Sequence, residues 1–146
     1  MDPDKKDPYA FFRQVRQYFG EDDIERFWNR VLFFNFLPNC VGSDDERYAF
    51  GTAEQRRRGK QRVLDIFGTH RPHKALVFTR KGWEQFPPTR EEAEGSECKK
   101  LGASFGDFTW GTYPVRGFTV TAFGLRHPQY APFEHMHDAV QHILSL

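Results

Sequence analysis

An amide, two guanidiniums and an imidazole follow or interrupt three apolar runs of this chain. The runs are Val31–Phe36, broken by Asn35; Ala75–Phe78, followed by Thr79 and Arg80; and Phe118–Phe123, which continues through Gly124 and Leu125 into Arg126, His127, Pro128 and Gln129. In an open parallel α/β sheet, ligands bind beyond the carboxyl ends of the strands. Strands at these runs would therefore line up Asn35, Arg80, Arg126 and His127 along one edge. An amide offers both a donor and an acceptor, and a guanidinium offers a fork of donors. Together with an imidazole they suit a planar polar ligand that carries phosphate.

The elements around these runs read as follows. Phe11, Phe12, Val15 and Phe19 fall at helical spacing before Gly20, so the spacing predicts a first helix from Pro8 to Phe19. Asp22 or Asp23 caps a second helix with Ile24, Phe27 and Trp28 as its stripe. Val31–Phe36 is short, apolar and aromatic, the pattern of a strand buried on both faces. Pro38, Gly42 and Ser43-Asp-Asp mark a loop. Thr52 with Gln55 forms the signature of a capping box, opening a helix to about Phe67 that Gly59 weakens and Gly68 ends. A strand at Leu76–Thr79 leads into a short helix from Lys81 to Phe86 that Pro87 and Pro88 terminate. The charged, small-residue stretch 89–106 reads as a mobile surface loop. Thr109–Pro114 and Phe118–Phe123 read as neighbouring strands. Pro132 starts a last helix, with Phe133, Met136, Val140, Ile143 and Leu144 as its apolar face. Alternating helices and strands predict a three-layer α/β/α domain with a small, mainly parallel sheet. Residues 1–30 would form its helical N-terminal segment.

Composition narrows the class. At 146 residues the chain suits one domain with one core, and 16 phenylalanines make that core aromatic. Mean hydropathy is −0.72, and no apolar run approaches the roughly 20 residues that cross a bilayer. The first residues, Met1-Asp-Pro-Asp-Lys-Lys-Asp, hold no apolar core of a signal peptide. Cys40 and Cys98 lack metal-like spacing and read as free thiols, which makes a cytoplasmic location the expectation. Net charge is only +1, yet Arg56, Arg57, Arg58, Lys60, Arg62, Arg71, Lys74, Arg80 and Lys81 face only Glu54 and Asp65 between residues 54 and 81. The acidic residues gather elsewhere, around 21–25, 43–46 and 91–97. Such a local basic block suits a directed anionic partner, or else a solvated helix face.

Three motifs then carry a likeness. They are Phe27-Trp28 through Phe33-Phe-Asn35-Phe with Gly42 soon after; Leu76-Val-Phe-Thr-Arg-Lys-Gly-Trp83-Glu-Gln-Phe-Pro87; and His127-Pro128. In order and spacing they resemble the uracil-DNA glycosylase superfamily, in its uracil-DNA glycosylase-like bacterial branch, from about Phe27 to the C-terminus. The resemblance implies that Asn35 reads the edge of a flipped uracil-type base, with Phe34 or Phe36 stacking on it. It implies that His127 stabilises the negative charge developing on the base as the glycosidic bond breaks, as a preorganised donor does. Trp83 matches a family position and reads on its own as core packing. Two departures stand out. Gln129 occupies the place of a family serine after His-Pro. No apolar strand precedes Val31 to hold a water-positioning acidic loop, and Asp7-Pro8-Tyr9, which echoes that loop, reads instead as the start of the first helix. The expected protein is therefore an N-terminally reduced member of that fold.

The functional expectation follows from these parts. The chain would bind DNA, single- or double-stranded, and recognise a flipped uracil-type base. If active it would be a DNA N-glycosylase of base-excision repair; the alternative is an inactive nucleic-acid- or protein-binding module of the same fold. The backbone contacts would come from Arg56, Arg57, Arg58, Lys60, Arg80, Lys81, Arg126 and Gln129. No cofactor is expected. Nor is a metal, because His135, His137 and His142 are two and five residues apart and do not share a helix face well. No membrane contact is expected, and an uncovered sheet edge would let a second copy pair.

Overall fold

The computed structural model describes residues 9–36, 51–95 and 102–146. Asp7, Pro8, Pro38, Cys40, Gly42, the acidic run 43–46 and Cys98 lie outside those residues. The chain divides into a helical unit, residues 1–32 with 126–146, and a sheet unit, residues 33–125.

In the helical unit α1 spans Ala10–Phe19, α2 spans Ile24–Trp28, and α6 spans Phe133–Ser145 after a short 3-10 turn at Pro128–Tyr130. Gly20 ends α1 in the left-handed conformation, φ 70°, and its N–H reaches back to the Gln17 carbonyl. That conformation is nearly free for glycine and strained for other residues. Asp23 caps α2 by accepting from the Arg26 N–H at 3.0 Å. Met136, Ala139, Val140 and Ile143 are the buried stripe of α6. Phe133 and Leu144, expected on that stripe, are 41% and 39% exposed, and Ala139 takes the central position instead. The stripe packs on α1, where Tyr18 is fully buried under the Phe133 ring at 5.3 Å and its carbonyl accepts from the Gln141 amide at 2.8 Å.

In the sheet unit α3 spans Ala53–His70, β1 Lys74–Phe78, α4 Arg80–Gln85, α5 Arg90–Ala93, β2 Ala103–Phe105, β3 Phe108–Val115 and β4 Phe118–Leu125. The order across the sheet is β1-β4-β3-β2. The Thr52 capping box is formed as the sequence implies, with Gln55 as its partner. The helix runs past Gly68 and ends at Arg71, which is left-handed at φ 48°. Its polar first half and apolar second half separate as expected, with Val63 and Phe67 sealed against the sheet. The core joins these two to Val77, Trp83, Phe86, Tyr113, Val120 and Ala122. Burying each large apolar side chain there stabilises the fold by about 1.5–3 kcal/mol.

Two expectations about the sheet are corrected. It is mixed, because β1–β4 is parallel whereas β4–β3 and β3–β2 are antiparallel. The cause is the tight connection at Arg116-Gly117, both at positive φ, which returns β4 directly alongside β3. Val31–Phe36 is not a strand. A strand needs a neighbour for its backbone donors and acceptors. Among the described residues β1 pairs on one side only, with β4, and no strand lies beside 31–36. The stretch 89–106, read as a mobile loop, holds α5 and β2. Thr89 is fully buried and caps α5, and Glu91 accepts from both the backbone N–H and the hydroxyl of Thr112 on β3, at 2.9 and 2.7 Å.

One glycine decides how closely α4 approaches the sheet. A Cβ on Gly124 of β4 would sit 2.6 Å from Cγ of Trp83, which is itself 3% exposed and has nowhere to go. Gly124→Ala should therefore lower the unfolding free energy by about 2 kcal/mol through overpacking. Urea denaturation with the wild-type slope and a lower midpoint is the expected reading; an unchanged midpoint would mean that the indole moves freely.

Candidate nucleic-acid interface

The segment that carries the candidate base-reading residues is held by α3 rather than by strand pairing. Burial alternates along it: Phe33 and Asn35 are exposed, Phe34 and Phe36 half-buried. Phe36 stacks on Phe86 at 5.7 Å and presses on Gly59, where an added Cβ would meet its ring and carbonyl at about 3 Å. Gly59 looked like a weakness in the helix; it is the place where the segment packs. Phe34 lies under the Arg62 guanidinium, 5.6 Å from ring centroid to Cζ. The same guanidinium donates to the Asn35 backbone carbonyl at 2.6 Å. Arg62 thus supplies the hydrogen bond that a neighbouring strand would have supplied. The Asn35 carbonyl is occupied, and its exposed side chain has no hydrogen bond to a described residue.

The basic face of α3 is partly neutralised from within. Glu54 accepts from Arg57 at 2.6 and 2.9 Å and from Arg58 at 3.1 Å. These bonds, Arg57 first, hold the Glu54 carboxyl down to about 2. The pairs are exposed, so salt screens them and a phosphate can compete for either guanidinium. Arg56 donates to the Gly51 carbonyl at 2.6 Å. Lys60, Arg80 and Lys81 make no ion pair with a described residue. Phe78 pairs with Leu125 in the parallel register, so β1 and β4 end at one carboxyl edge, and Thr79 and Arg80 follow β1 there. Trp83, the other matched aromatic, is core, as its type suggested.

His127, Arg126 and Gln129 belong to the helical unit. His127 precedes the 3-10 turn and caps it: its Nδ1 accepts from the Gln129 N–H at 3.1 Å, and its carbonyl accepts from Tyr130 at 3.0 Å. His127-Pro128 therefore opens this turn, and α6 begins only at Phe133. The bond to Nδ1 leaves the proton of the neutral ring on Nε2. The ring lies 5.8 Å from Phe11 and 5.8 Å from Tyr130, and burial lowers its pKa below the ordinary value of 6.5. The arrangement offers a neutral donor at Nε2. The Gln129 side chain is exposed, while its backbone N–H is committed to the ring.

Within the sheet unit the structure thus brings Phe34, Asn35 and Phe36 onto the basic helix. Sequence reasoning missed the clamp, Arg62, because its partner is 27 residues away. Among the described residues no group of His, Cys, Asp and Glu could hold a metal ion, and no helix is long and apolar enough to cross a membrane.

Arg62→Ala should cost about 1–3 kcal/mol of stability, the value of a charge-assisted hydrogen bond and a cation–π contact together. It should also open a protease site between Phe33 and Phe36. Arg62→Lys should recover only part, since a lysine ammonium lacks the planar fork that serves both partners. Equal stability of all three proteins would show that the segment holds itself. No family model matches the chain, and no curated protein and no solved structure matches it either.

Proposed function

We propose that this chain is a nucleic-acid-binding protein with a fold of the uracil-DNA glycosylase superfamily, and that the segment Phe34-Asn35-Phe36 receives an unstacked uracil-type base. The observation that carries this reading is the double contact of Arg62. It ties the segment of base-reading type to the helix of phosphate-binding type, and leaves the Asn35 amide exposed beside that helix. An amide has the acceptor and donor that the edge of uracil requires. Lys60, together with Arg57 and Arg58 exchanged from Glu54, would follow the phosphates, giving affinity while Asn35 gives discrimination. The base must leave its stack, at a cost of a few kcal/mol.

Binding is favoured over cleavage by the same geometry. Asn35 sits on an irregular segment and not at the end of a strand, so its position is less rigid than glycosidic chemistry rewards.

Fluorescence anisotropy with a uracil-containing single strand tests the reading. Affinity should fall steeply with salt, and Lys60→Ala should flatten that slope by about one phosphate contact. Glu54→Gln should tighten binding by freeing Arg57 and Arg58. Asn35→Ala should reduce the preference for the uracil strand over an otherwise identical strand without uracil by roughly fivefold, about one hydrogen bond. Alkali treatment after incubation reports cleavage separately. Salt-independent or absent binding would end the proposal, whereas cutting at uracil would promote the chain to an enzyme.

A further inference from the structure

The 3-10 turn at Pro128–Tyr130 has two backbone donors near its start, because Pro128 has none. The Tyr130 N–H is met by the His127 carbonyl, and the Gln129 N–H by the His127 ring. A histidine in this capping role differs from the usual serine, threonine or asparagine in one respect: its acceptor can be taken away by a proton. We infer that the His127–Gln129 contact is a pH-sensitive latch, closed when the imidazole is neutral and opened when it is protonated, and that α1 feels the change through Phe11.

The geometry sets the sign. Protonation puts a hydrogen on Nδ1, which then faces the Gln129 N–H donor against donor. The bond is lost and the exposed Gln129 donor turns to water. The charged ring is also penalised by its partial burial beside the tilted rings of Phe11 and Tyr130, 5.8 Å from each. Among the described residues, the ionisable and charged groups on the elements packed with it are Tyr9, Arg13, Arg16 and Tyr18 at α1, Arg126 before it and Tyr130 after it. None is a carboxylate that would hold the imidazolium in place, and burial is the sole cause of its lowered pKa. An opened turn returns the ring to water and to its ordinary value. The folded-state pKa is the lower one, so the latch stabilises the turn fully above about 6.5 and is lost as pH falls through the folded-state value. The latch involves only His127, Gln129 and Phe11 of the helical unit, whereas the base-reading role proposed above belongs to Asn35 of the sheet unit, so it does not depend on that reading.

Solution NMR of the full chain from pH 8 to pH 5 tests it. In the wild type, long-range nitrogen–proton correlations should find the Nε2–H tautomer of His127 at pH 7.5. The ring should titrate with a midpoint below 6.5, and the Gln129 amide and the Phe11 ring signals should move with that same midpoint. In His127→Asn, which keeps a capping acceptor and cannot titrate, those two sets of signals should stay flat while the other histidines behave as before. The Nδ1–H tautomer at pH 7.5, a measurement that needs no variant, would overturn the inference. So would a His127 titration that leaves Gln129 and Phe11 unmoved, or the same Gln129 and Phe11 transition persisting in His127→Asn.

Discussion

The contact on which the candidate interface depends is the Arg62 guanidinium, shared between the Asn35 carbonyl and the face of Phe34. The segment 31–36 is too apolar to lie free in water and has no strand beside it among the described residues. Its backbone still needs partners, because an unsatisfied carbonyl near a hydrophobic core is expensive. A guanidinium solves both problems at once. It donates in its plane to the carbonyl and presents its weakly hydrated face to the ring. Everything proposed for Asn35 follows from that arrangement, since a side chain can offer its amide outward only if its backbone is held elsewhere.

The helix that supplies Arg62 is shaped by the same demand. Gly59 is the residue against which Phe36 closes, and an alanine there would press on both the ring and the carbonyl of Phe36. Glycine lowers helix propensity by about 1 kcal/mol relative to alanine, so α3 accepts a local weakness to let the segment approach. Its capping box at Thr52 and Gln55 and the apolar seal at Val63 and Phe67 compensate on either side. The sheet repeats this logic at Gly124, whose missing side chain admits Trp83.

What could be read from the sequence was local. The Thr52–Gln55 cap, the Gly20 stop, the buried Trp83 and the β3 and β4 runs all depend on residues a few positions apart, and all are found. The misreadings share a cause. Val31–Phe36 has the composition of a strand, but being a strand is a property of two segments, and the second is not among the described neighbours. The mainly parallel sheet failed at Arg116-Gly117, where an arginine takes a left-handed position that composition would give to asparagine or glycine. Helix α5 and strand β2 were hidden in a stretch of small and charged residues, whose order comes from Glu91 reaching β3 across 21 residues. For the site, residue types pointed to the candidate base-reading segment and the basic helix separately. Only the structure joins them.

The charge on α3 carries the last step. Five cations between Arg56 and Arg62 suggest indiscriminate attraction to any polyanion, yet Glu54 holds two of them and a carbonyl holds each of two more. The pairing of Arg57 and Arg58 is exposed and exchangeable, while that of Arg62 is structural and shields its ring partner. A helix of this kind presents Lys60 outright and releases Arg57 and Arg58 only to an anion that competes well with a carboxylate. A phosphate backbone does so at several points together, whereas a single surface carboxylate does not. The near-neutral chain thus keeps a weak general field and a strong local one, the balance that the proposed function asks of this surface: to find a strand and then respond to one base.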